Sequence, residues 1–129
     1  MDGRVWAIRG AVTVAENTAA AMAEAVTELL EALESRNQLA PTCIISATFS
    51  VTRDLDAVFP AAIARQRPGW GEVALLDVQQ MHVKGSLPRC IRVLVYVQLG
   101  AMHPKIQHAY LREAQDLRPD LAMTSLERV

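Results

Sequence analysis

The chain is poor in the residues from which many common active sites are built. Cysteine occurs at only two positions, Cys43 and Cys90, each inside an apolar run. Two thiols so placed argue against a disulfide framework and point to a reducing compartment, the cytoplasm. The three histidines, His82, His103 and His108, have no second ligand at metal-binding spacing, so neither a metal site nor a histidine base is assigned. There is no glycine-rich phosphate loop and no Gly-x-Ser-x-Gly elbow, which weighs against dinucleotide enzymes and hydrolases. No apolar run approaches the ~18 residues that cross a bilayer, and Met1-Asp2-Gly3-Arg4 leads into a strand pattern rather than the apolar core of a signal peptide. No membrane partner is expected. An excess of positive charge is also missing: 13 Lys+Arg stand against 14 Asp+Glu, a formal net charge of -1. A nucleic-acid backbone would find no overall basic field here.

What is present is an ordinary globular mixture, 51% hydrophobic and 21% charged, on a chain long enough for one core and too short for two. A single domain over 1–129 is expected. Its positive residues are mostly arginine, whose planar fork matches carboxylates and phosphates at two points. An anionic small molecule is therefore the first candidate ligand.

Arg4 to Val14 is rich in Val, Ile and Thr and reads as an opening strand, with Gly10 suggesting a bend or bulge. Asn17 or Thr18 can cap a helix in which Met22, Val26, Leu29, Leu30 and Leu33 recur at helical spacing as far as about Asn37. After a turn at Pro41, Cys43 to Thr52 reads as a strand and Asp54 to Asp56 as a loop. Pro60 suits the first position of a short helix that Pro68-Gly69 ends. Val73 to Leu76 resembles a brief buried strand, the stretch on to Gly85 a loop, and Cys90 to Leu99 the strongest strand of the chain. Lys105 to Gln115 is expected to be a helix, and the residues after Pro119 a loose tail. The order βαβαβ-βα implies a mixed α/β (α+β) domain. With so few helices, one sheet face needs covering, and a chain of this size often covers it by oligomerising.

Among the arginines, Arg9, Arg65, Arg92 and Arg118 lie at element edges or in apolar stretches. Arg92 stands between Cys90-Ile91 and Val93-Leu94-Val95, where an unpaired guanidinium would incur a desolvation cost of several kcal/mol. Two readings are open from the pattern: an arginine facing solvent or paired with an acid such as Asp77, or one that meets an anionic ligand.

The blocks Ile8-Arg9-Gly10-Ala11, Asp54-Leu55, Ala57-Val58-Phe59-Pro60-Ala61 with Arg65, Gln79 and Met81, Cys90-Ile91-Arg92-Val93, His108-Ala109-Tyr110-Leu111 and Leu117-Arg118-Pro119-Asp120-Leu121 run nearly the whole length of the chain. In order and spacing they resemble the small trimeric α/β class of chorismate mutase. The resemblance implies a cofactor-free, metal-free isomerase of aromatic amino-acid (Phe/Tyr) biosynthesis that rearranges chorismate to prephenate. It further implies a homotrimer forming a pseudo α/β barrel, with active sites between subunits. Arg9, Arg92 and Tyr110 match one side of that cleft; Phe59, Ala61 and Arg65, with Leu76 beside them, match the side contributed by a neighbour. Leu117 and Arg118 match a C-terminal segment, 116–129, expected to be mobile and to cover the site. By the same resemblance Arg92 donates to the ether oxygen of the substrate, while Arg9 and Tyr110 hold its side-chain carboxylate.

Two positions depart from the family pattern. Gln80 stands where a glutamate is expected against the substrate ring, and Asp77 stands three residues earlier, where a small or thiol side chain is usual. The expectation is that Asp77 supplies the missing anion while Gln80 keeps the hydrogen bond to the ring hydroxyl, the alternative being that Asp77 pairs with an arginine. Ala62 replaces a common lysine and is expected to raise KM. Two other functions remain as alternatives: an imine deaminase of a related trimeric fold, and an inactive sensor of an anionic metabolite.

Overall fold

The computed structural model describes residues 3–122. Five strands form one mixed sheet: β1 (Gly3–Thr13), β2 (Ile44–Val51), β3 (Ala74–Gln79), β4 (Cys90–Gly100) and β5 (Ala109–Leu111), ordered β3-β2-β4-β1-β5. β4 runs antiparallel to both β1 and β2, whereas β3 is parallel to β2 and β5 parallel to β1. The helices are α1 (Ala19–Asn37), α2 (Pro60–Arg65) and α3 (Pro119–Ala122), with 3₁₀ turns at Pro41–Cys43, Trp70–Glu72 and Arg112–Asp116.

Strand alternation separates the two faces of the sheet. Ile8, Gly10 and Val12 of β1 pair with Val95, Val93 and Ile91 of β4, and Ala47 and Phe49 of β2 pair with Val95 and Val93. These residues form the core with Met22, Val26, Leu29, Leu30 and Leu33 of α1, each buried side chain contributing about 1.5–3 kcal/mol. α1 begins where Thr18 caps it, Oγ1 accepting from the Ala21 amide at 3.1 Å. It ends at Gln38, which adopts φ 48 and returns its amide to the carbonyls of Glu34 and Ser35. The opposite face carries Arg9, Ala11, Ser50, Arg92 and Tyr110. There Ala11, Cys90, Tyr110 and Ala114 make a small second core under the Arg112–Asp116 turn.

The structure corrects four of the expectations. Gly10 is not a bend: β1 stays paired with β4 from Gly3 to Thr13, and the irregularity lies instead at Ile44/Ser46 of β2. Glycine is needed at position 10 for close approach, because an added Cβ would lie 2.9 Å from Leu29 Cδ1 and 3.1 Å from the Ala109 carbonyl oxygen. β3 is longer than expected and includes Asp77 and Gln79, polar residues tolerated because β3 is an edge strand. Lys105 to Gln115 is not a helix. Asn37 Nδ2 donates to the Gln107 carbonyl at 2.9 Å and its Oδ1 accepts from the Gln107 amide at 2.8 Å, after which Ala109 to Leu111 adds to β1. Docking that strand buries Ala109 and Tyr110, a gain that outweighs local helix propensity. Finally, Pro119–Ala122 is a helical turn rather than a loose tail; the rest of the expected tail lies outside the described residues.

Candidate active site

Four strands and the chain after β5 converge on one cavity of about 640 Å³ on the sheet face away from α1. Arg9 comes from β1, Arg92 from β4, Tyr110 from β5, and Leu117 and Arg118 from the segment before α3; Thr48 and Ser50 of β2 complete the floor. All five of these candidates, far apart in sequence, line the same cavity. Three guanidinium groups line it and no carboxylate does, among the described residues.

Each arginine is held differently. Arg92 pairs with Ser50 of β2 in register. Its Nε is buried and makes no hydrogen bond among the described residues, a state that costs about 1–3 kcal/mol or more for a charged group until a partner arrives. Cys90 lies two residues before it on the same face; burial pushes its thiol pKa up, and the neighbouring Arg92 charge pulls the other way. Arg118 makes a two-point contact with Asp120, Nε to Oδ1 at 3.1 Å and Nη2 to Oδ2 at 2.9 Å. That hydrogen-bonded carboxylate holds Arg118 more firmly in its charged form. Arg9 is fixed through its backbone, whose amide donates to Nδ1 of His108 at 2.9 Å. The sequence pattern alone gives His108 no role. It is half-buried, and Arg36 Nη1 donates to its carbonyl at 3.2 Å. The only sequence sign of it was its place two residues before Tyr110.

Gln80 lies one residue beyond β3, its amide donating to the Val51 carbonyl at 2.9 Å. Gln80 and Arg92 therefore flank the same stretch of β2. Gln80 lines a smaller cavity of about 250 Å³ with Met81 and His82, one that shares no lining residue with the arginine cavity, and its Oε1 is buried with no hydrogen bond among the described residues.

The remaining candidates form a second group. Phe59, Ala61, Arg65, Leu76 and Asp77 line a separate cavity of about 380 Å³ between α2 and β3. Phe59 is 71% exposed and Leu76 58% exposed. Asp77 pairs in register with Phe49, a core residue, and so lies on the helix side of the sheet, opposite to Arg92. One protomer therefore does not place Asp77 beside Gln80 and Arg92. Its Oδ1 accepts from the Ala61 amide at 2.9 Å. Burial raises the carboxyl pKa, while the Ala61 amide and the Arg65 charge work against that rise.

Among the described residues no cluster of three or more His, Cys, Asp or Glu side chains could hold a metal ion, no helix is long and apolar enough to cross a membrane, and both cysteines are free.

Comparison with known proteins gives a consistent result. Residues 5–121 match the family model described as chorismate mutase type I. Chorismate mutase AroH of Bacillus subtilis is 39% identical over 117 residues, 91% of this chain and 92% of the relative. Chorismate mutase AroH of Thermus thermophilus is 44% identical over 118 residues, 91% and 96% of the two chains. A solved chorismate mutase from Clostridium thermocellum superposes with a TM-score of 0.79 at 43% identity, covering 86% of this chain and 98% of that one.

Proposed function

The chain belongs to the type I chorismate mutase family, and from that premise we propose that its reaction is centred on Arg92 in a cleft completed by a neighbouring protomer. The protein is an isomerase that converts chorismate to prephenate in aromatic amino-acid biosynthesis. The reaction is an intramolecular rearrangement of a dianion, so no nucleophile is activated and no proton need move. The protein contributes by holding the compact reactive conformer and by stabilising charge as the ether C–O bond breaks ahead of C–C formation.

The observation that carries this reading is the cavity lined, among the described residues, by three arginines and Tyr110 with no carboxylate. Arg9 and Tyr110 bind the side-chain carboxylate, and Arg118 with Leu117 closes over the substrate. Arg92 donates to the ether oxygen, where negative charge is greater in the transition state than in the ground state, the condition for accelerating the step. Its buried Nε acquires a partner when the ligand arrives. Gln80 Oε1, likewise buried and unpaired, accepts from the ring hydroxyl.

The second wall comes from a neighbour in a homotrimer: Phe59, Ala61, Arg65 and Leu76 project from α2 and β3 into the facing cavity. Support for this is that the two groups of candidates line different cavities of one protomer and that the apolar residues Leu76, Val78 and Tyr96 are exposed on one sheet face. A cytoplasmic setting accords with two free thiols.

Following chorismate disappearance by absorbance tests the assignment. Arg92→Lys keeps the charge and loses the planar fork; kcat is expected to fall on the order of 10²–10³-fold. A folded Arg92→Lys enzyme with near-normal kcat would remove Arg92 from its role. Binding of chorismate without turnover by the wild type would favour a metabolite sensor, a reading to which the amide at Gln80 gives its one foothold.

A further inference from the structure

The carboxylate of Asp77 faces neither Arg92 nor Gln80, and the first turn of α2 has no cap of its own. Phe59, at the capping position, offers no side-chain acceptor, and Pro60, at the first helical position, has no amide hydrogen. Ala61 therefore carries the first backbone donor of α2 that needs a partner. Asp77, sixteen residues later and on another element, supplies it at 2.9 Å. A six-residue helix cannot persist on local hydrogen bonds alone, so a tertiary tie at its start has a large effect on where it sits. Phe59 just before this turn, Ala61 within it and Arg65 at the far end of the same short helix are those read above as the neighbour's wall of the active site.

We propose that Asp77 is a positioning residue, pinning the first turn of α2 to β3 through the Ala61 amide and so setting Phe59, Ala61 and Arg65 for substrate binding. The inference rests on the cleft described under the proposed function. It reassigns the carboxylate from the reacting ring to the binding wall. Three observations carry it. Register puts Asp77 on the same side of the sheet as Phe49 and the helices. Its Oδ1 is engaged by the helix amide, where a negative charge also complements the helix dipole. Arg65 and Asp77 line the same cavity, and the Arg65 charge works against the rise that burial gives the Asp77 carboxyl.

The test compares Asp77→Asn with Asp77→Ala. The amide oxygen of Asn still accepts from Ala61 but carries no charge, whereas Ala offers no acceptor. Loss of one hydrogen bond is expected to raise KM for chorismate about five- to tenfold in Asp77→Ala with kcat within about twofold, and Asp77→Asn is expected to recover most of that loss. Amide exchange at Ala61, read without substrate, should be slow in the wild type and Asp77→Asn and faster in Asp77→Ala. A tenfold or greater fall in kcat in both variants at unchanged KM would overturn the proposal and return the charge to the reacting ring. Equal KM defects in the two variants, or unchanged Ala61 exchange in Asp77→Ala, would also overturn it. If Asp77→Ala does not fold, Asp77→Ser, too short to reach Ala61, takes its place. Because amide exchange is independent of turnover, a failure here is distinct from a failure of the Arg92 assignment.

Discussion

Two side-chain atoms, Nε of Arg92 and Oε1 of Gln80, are buried without a hydrogen-bond partner among the described residues, on either side of the same stretch of β2. Buried polar groups are nearly always satisfied, and an exception calls for a reason such as strain, a water, an ion or a catalytic role; Trp6 Nε1 is a third such atom among the described residues and lines neither cavity. A donor on one flank and an acceptor on the other suit a substrate with an ether oxygen and a hydroxyl on adjacent ring carbons, trans to one another. Gln80→Ala removes the acceptor and is expected to lower kcat roughly fivefold to tenfold, the worth of one neutral hydrogen bond. That effect should be far smaller than the loss in Arg92→Lys, because a neutral amide offsets the cationic ring only weakly. Steady-state kinetics of Gln80→Ala checks it, and a kcat equal to that of the wild type would remove Gln80 from the site.

At the scale of elements, the position of Arg9 relative to Tyr110 depends on how closely β5 can approach β1. The parallel pairing Gly10↔Ala109 and Ala11↔Tyr110 is possible because α1 and β5 both press against a residue with no side chain. Asn37, at the end of α1, clamps the chain at Gln107 just before β5, and His108 receives the Arg9 amide. The geometry of the arginine-lined cavity is thus built from behind the sheet. Gly10→Ala pushes on Leu29, which can shift, and on the Ala109 carbonyl, which cannot. A destabilisation of about 1–3 kcal/mol is expected, seen as a lower urea midpoint with an unchanged slope. KM should rise as well, because β5 moves away from β1 and takes Tyr110 with it. An unchanged midpoint would show that the contact at Gly10 is looser than its geometry indicates.

For the whole molecule, the proposed site exists only when two protomers meet, so defects on different walls should complement. Arg92→Ala and Arg65→Ala each impair every site in a pure trimer. Refolded together at equal amounts, random assortment in a closed trimer leaves about a quarter of the sites with both walls intact. Activity of that order, above the sum of the separate variants, is the expected result. Verified hybrids that show no recovery would place both arginines in the same site wall. Dilution below the dissociation range should likewise lower activity per protomer.

Local pattern was enough to read the class of fold, α1 with a cap at Asn17 or Thr18, and the strands containing Arg9 and Arg92, while the resemblance of ordered blocks along nearly the whole chain to a known family implied the reaction. Those features are legible because they depend on neighbours in sequence: side-chain periodicity, cap chemistry, and motifs of a few residues. Tertiary structure decided the rest. β5 forms where helix propensity had pointed elsewhere, since Gln107 is bonded to Asn37 and Ala109 buries against β1, contacts about seventy and one hundred residues away in the chain. The same holds for Asp77. Its charge was visible in the sequence, but strand register turned it toward Ala61 rather than Arg92, and in a pleated strand the face a side chain meets is set by pairing, not by its identity.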